Sequence, residues 1–206
     1  MLINAARSMP YLYKASCPKP DDYKWKPSIF MPKEACRLHL RIVDVRAERL
    51  QVISATDAIA EGIFCKEGRF KDYLDPKQHY LTAYSSFRSL WNSIHGAGAW
   101  DWNPWIWVVK FKKLEDRPDG KEKQRPMLFS TEMVQAILEG RKTQTRRIIL
   151  PRNNPKVPPA TVIEKGDSWI GLHESYPAPT NGIHLLPPYG EVGDFIWVRE
   201  SYCEDK

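Results

Sequence analysis

The densest concentration of chemically capable side chains in the sequence is Gly140-Arg141-Lys142-Thr143-Gln144-Thr145-Arg146-Arg147. Two hydroxyls stand among four cations. Guanidinium groups clamp phosphate, and a lysine beside a threonine can take its proton and make the hydroxyl a nucleophile. A charged run is more often a solvated face, so the pattern alone leaves both readings open. Spacing adds a condition. In a straight strand Lys142 and Thr145 project from opposite faces, so they cooperate only across a turn or bulge, for which Gly140 offers a bend. The run is not a phosphate-cradling loop, because the long GxxxxGK[ST] spacing is missing. Metal chemistry has little to stand on: Cys36 and His39 are near each other, and nothing else has ligand spacing. The four cysteines, Cys17, Cys36, Cys65 and Cys203, form no CxxC pair and read as ordinary reduced thiols. Arg199 and Glu200, past the last strand, are candidates for the same cleft or for a surface pair.

The elements that must position these groups can be read from periodicity. Residues 1–36 carry five prolines and little pattern, which predicts an extended arm lying over something else. Alternation from Leu38 predicts a strand over 38–46. Ser54 three residues before Asp57 resembles a capping box, and Gly62 supplies a stop, giving a short helix over 55–61. Ala83, Phe87, Leu90, Trp91 and Ile94 form one apolar stripe and predict a helix over 82–94. Trp105 to Phe111 reads as a buried strand, and Trp91, Trp105 and Trp107 as core. The run 115–126 has no apolar side chain, two prolines and a glycine, and reads as a linker. Beyond it, Met127-Leu128-Phe129 predicts a short strand, Ser130 caps a helix with the face Met133, Val134, Ile137 and Leu138, and Gly140 ends it. Residues 151–190 hold eight of the seventeen prolines. A loop that long is usually functional or mobile. Phe195 to Val198 predicts a last strand.

With 206 residues, 42% hydrophobic and 27% charged, the chain can bury a core, and large multidomain architectures and wholesale disorder are excluded. No 20–50-residue repeat supports a solenoid. The longest apolar run, Trp105 to Val109, is far short of a bilayer span, and the first residues lack the apolar block of a signal peptide, so a cytoplasmic, non-membrane protein is expected. Short strands mixed with a few helices point to α+β, as a small barrel or curled sheet with packed helices. Net charge +6 favours anionic partners, and eight Trp with nine Tyr fit stacking on single-stranded nucleic acid, although most are expected in the core.

The segments 128–130, 134–147, Pro188-Tyr189-Gly190, Val192-Gly193-Asp194 and Trp197-Val198-Arg199-Glu200 resemble the N-terminal half of phage and prophage proteins of the ASCH class, within the PUA-like superfamily. Trp25 to Pro32, Val45 to Gln51, Asp57 to Ile63 and Asn103 to Phe111 resemble that family's C-terminal half. The order departs from the family: 1–114 matches its second half and 127–206 its first, as in a circular permutant joined by 115–126. Permutation is tolerable where the original ends lie close together at the surface. Self-closure of one chain is favoured over a swapped dimer because intramolecular docking has the higher effective concentration.

The resemblance implies a PUA-like β-barrel whose cleft handles RNA, single-stranded DNA or a nucleoside. Amidohydrolases of this class that remove the acetyl group of N4-acetylcytidine are similar around the Lys-Thr-x-Thr motif. By position Lys142 becomes the base, Thr145 the nucleophile and Glu61 the acid/base carboxylate. Arg141, Thr143, Arg146, Arg147 and Arg199 are the candidate nucleic-acid contacts, while Arg146, Arg147 and Arg152 could equally meet phosphates or solvent. No cofactor motif is present. The alternatives are a non-catalytic RNA or single-stranded DNA binder and a swapped prophage assembly protein.

Overall fold

In this computed structural model the described residues are 11–118, 123–150, 159–165, 168–172 and 183–204. Arg152, half of the proline-rich stretch 151–190 and the middle of the linker lie outside them. In chain order the elements are β1 (Tyr11–Tyr13), β2 (His39–Arg49), α1 (Ala55–Ala60), β3 (Cys65–Lys66), β4 (Arg69–Lys71), β5 (His79–Tyr80), α2 (Ala83–His95), β6 (Trp105–Lys113), β7 (Gln124–Leu128), α3 (Thr131–Leu138), β8 (Gln144–Ile148), β9 (Thr161–Lys165), β10 (Ser168–Leu172), β11 (Ile183–Leu185), β12 (Phe195–Arg199) and β13 (Tyr202–Glu204). The mixture is α+β. No helix among the described residues is long and apolar enough to cross a membrane.

Each helix starts where a side chain can cap it. Ser54, Thr82 and Ser130 accept from the amides of Asp57, Ser85 and Met133 at 3.0, 3.2 and 3.3 Å, satisfying donors that a first turn otherwise orphans. The capping box at Ser54 is half formed, because the Asp57 carboxylate turns away to two arginines.

The central sheet has five strands in the order β7-β12-β2-β6-β8. Two of them, β2 and β6, come from 1–114 and three from 123–204, so neither segment forms this sheet alone. Its two faces carry the two main cores. Leu40, Ile42, Trp107, Val109 and Phe111 pack on one side with Val134 and Ile137 of α3. On the other, Ile106 and Val108 pack with Ala58 of α1 and Phe87 and Trp91 of α2.

Several expectations need correction. Among the described residues the sheet does not close into a barrel: β7 and β8 are its edges, and α3 occupies the connection between them. The first strand runs to Arg49 instead of 46, with a bulge between Ile42 and Asp44 that restores its register with β6. The linker is shorter than 115–126, because β7 already begins at Gln124 and pairs in parallel with β12. Pro126 is accommodated there because β7 is an edge strand. The arm is more ordered than a loop: β1 pairs with β13, and four 3-10 turns follow before β2.

Candidate functional site

Helix α1 ends with Glu61 as its C-cap, and Gly62 follows at φ +85°. A Cβ on Gly62 would stand 2.7 Å from Lys142 Cβ and 2.9 Å from Ala136 Cβ. Only glycine lets the end of α1 lie against the segment between α3 and β8. Main-chain bonds fix that contact: Glu61 and Lys142 form an isolated bridge, Thr143 donates to Ala60 O at 2.9 Å, and Lys142 donates to Ala136 O at 2.9 Å.

Lys142, Gln144 and Arg146 share strand parity, and all three engage α1. Lys142 Nζ donates to Glu61 Oε2 at 3.0 Å and to Glu61 O at 2.9 Å. Gln144 Nε2 donates to Asp57 O at 2.8 Å. Arg146 reaches three carboxylates: Glu61 Oε1 at 2.9 Å, Glu48 Oε1 at 2.8 Å and Asp57 Oδ2 at 3.2 Å. Arg46 extends the network to Glu48, Asp57 and Asp44 at 3.0, 2.9 and 3.1 Å. Its inner members are nearly dry, with side chains 1% exposed for Lys142 and Arg146 and 5% for Glu61. Burial pushes the Lys142 amine below the ordinary lysine value; Glu61 opposes this, while Arg147 and Arg146 add to it.

Thr145 has the other parity. It pairs with Val109 in the sheet, and its hydroxyl makes no hydrogen bond among the described residues. Lys142 and Thr145 therefore do not touch, as straight-strand geometry requires. Both relate to Glu61 instead, because Thr145 and Glu61 line one inner cavity of about 40 Å³ together with Phe87, Trp91, Arg146 and Arg147. Lys142 is not on its wall.

A larger cleft of about 730 Å³ shares Glu61 and Arg147 with the inner cavity and adds Lys71, Tyr73, Ser130 and Glu132. Arg147 donates to Leu128 O at 2.7 Å, lies over the Phe129 ring and has no carboxylate partner among the described residues.

The remaining expected contacts are dispersed. Arg141 lies over Phe64, bonds Glu139 and Gly62 O at 2.6 and 2.7 Å, and lines a separate cavity of about 300 Å³. Thr143 is exposed, its backbone bonded to Ala60 and Phe111. Arg199 belongs to the arm, not to the cleft: it donates to Ile29 O and lies over Trp197. Glu200 is buried there and takes both branches of Arg37 at 2.8 and 2.9 Å. Glu48, Asp57 and Arg46 were not singled out as site residues. The signal was present as alternation in β2, where Asp44, Arg46 and Glu48 face the same side. Among the described residues no group of His, Cys, Asp and Glu could hold a metal ion.

Searches of protein families, curated proteins and solved structures find no match to this chain. The reading of the site rests on its own geometry.

Proposed function

We propose that the chain is an ASCH-like, PUA-type domain with its halves in permuted order, and that it removes the acyl group of an N4-acylated cytidine. One observation carries this reading: Glu61 from the first segment is bonded to Lys142 and Arg146 from the second and shares a cavity wall with Thr145. In the proposed reaction Thr145 Oγ1 bonds to the acyl carbon while its proton passes through a water to the Lys142 amine, which acts as the base in its unprotonated form. The bond between the acyl carbon and N4 then breaks, and N4 leaves with that proton. Water hydrolyses the threonine ester, which releases the carboxylic acid and restores the hydroxyl. The water relay is needed because the amine is off the cavity wall. Burial favours the unprotonated form of the Lys142 amine, and Glu61 holds the amine in place.

A non-catalytic binder of RNA or single-stranded DNA is the second reading. It is favoured by the bonding of Lys142 to Glu61 instead of Thr145, and by an open cleft that carries Lys71, Arg147 and Tyr73. Acetate release and ligand affinity, measured together, separate the two. The enzyme reading expects turnover of N4-acetylcytidine that Thr145→Ala abolishes while affinity survives. The binder expects no turnover, equal affinity losses in Lys142→Ala and Arg146→Ala, and affinity for an RNA oligomer that falls steeply with salt through counterion release.

A further inference from the structure

The residues around the inner cavity carry more hydrogen-bond donors than the described residues satisfy. Trp91 Nε1, Arg146 Nε and Arg147 Nε are buried N–H groups without an acceptor among the described residues, and all three residues line this one cavity. Trp91 is 3% exposed and Arg146 5%. A buried donor left unmade is costly, so three around one hollow indicate an acceptor that belongs there. The charge balance agrees. The other nitrogens of Arg146 are matched by Glu61, Glu48 and Asp57, whereas among the described residues Arg147 has only a carbonyl and a ring. Its positive field reaches His95, which also lines the cavity and stacks on Trp91 at 4.2 Å; burial, then Arg147, lowers the pKa of that imidazole.

Size decides what the acceptor is. One water occupies about 30 Å³, so the roughly 40 Å³ of this partly open pocket takes a group of one or two non-hydrogen atoms more readily than a whole phosphate. We propose that the inner cavity is an oxyanion pocket: it takes the carbonyl oxygen of a ligand whose body lies in the larger cleft, with Trp91 Nε1 and the Arg147 guanidinium as donors. The identity of that body and the attack by Thr145 rest on the reading above; the binding of a carbonyl oxygen does not. In the reaction the carbonyl π electrons move onto this oxygen as Thr145 adds to the carbon, and the pocket holds the resulting negative charge until the leaving nitrogen departs.

Two arms test it. In the first, acetamide is titrated into protein labelled at the indole nitrogens, with the Trp91 resonance assigned by its loss in Trp91→Phe. The pocket predicts a saturable downfield shift of Trp91 Nε1–H, weakened about tenfold or more in Arg147→Gln; an unmoved resonance overturns it. In the second, N4-acetylcytidine hydrolysis is followed in the same variants. The pocket predicts a kcat about 10²-fold lower in Trp91→Phe with KM little changed. Hydrolysis at the wild-type rate in both variants overturns the pocket. An acetamide shift with no binding or turnover of N4-acetylcytidine upholds the pocket and refutes the nucleoside reading.

Discussion

Glu61 bonds two basic side chains at once, and that sharing makes it the side chain the site can least spare. Glu61→Gln leaves both Lys142 and Arg146 short of a buried charge, whereas Lys142→Met leaves Glu61 still paired with Arg146. Breaking a buried pair from one side costs about 3–5 kcal/mol. Urea unfolding is expected to show a loss of that size for Glu61→Gln and a smaller one for Lys142→Met; the reverse order would mean Glu61 is not the hub. The amine also sets a pH signature. Because burial lowers its pKa from 10.5, the folded chain holds fewer protons at Lys142 than the unfolded chain between the two values. Stability from this group therefore rises with pH across that window, and Lys142→Met should flatten the rise. A threonine one strand position from a glutamine is unremarkable in sequence, and nothing in the run 140–147 reveals that alternate residues go to a carboxylate network and to a cavity.

At the scale of elements, the approach of α1 to the segment between α3 and β8 depends on Gly62. Gly62→Ala adds a left-handed φ to a side chain that meets Lys142 and Ala136, for a combined cost of about 2–4 kcal/mol. A thermal melt should show that loss together with weaker ligand binding, since Glu61 moves with the helix end; unchanged stability would contradict the packing described. The arm is held by a different pair. Glu200→Gln removes the charge that takes both branches of Arg37, costing about 2–3 kcal/mol, and limited proteolysis should then cut within 11–37 faster than in wild type. Tyr13, which donates to Ala35 O in the same arm, is pushed up to about 12 by burial, with Glu200 adding and Arg37 opposing. Its contribution to stability is complete below pH 10 and disappears as pH rises toward 12. Capped helices and β-branched strands were legible because their signals are local: Ser54, Thr82 and Ser130 each sit next to the amides they bond. The parallel pairing of β7 with β12 and the strand β1 against β13 were not legible, because they join residues about 70 and 190 positions apart and leave no periodic trace.

For the whole molecule, the decisive feature is a sheet that needs both ends of the chain. Strands β2 and β6 sit between β12 and β8, so residues 1–118 or 123–206 expressed alone should lack cooperative unfolding, while the two produced together should recover it. Light scattering on dilute protein distinguishes a self-closed chain, expected as a monomer, from exchange of the same strands between two copies. The open edges of the central sheet were not readable from the sequence, because closure depends on how α3 fills the gap between β7 and β8. The most direct test of the account is the rate of acetate release from N4-acetylcytidine by Thr145→Val, a change that removes the hydroxyl and keeps its shape in a buried position. The account predicts turnover by the wild type and a loss of about 10³-fold or more in the variant at an unchanged melting temperature. Equal rates in the two proteins, or no turnover by either, would contradict it.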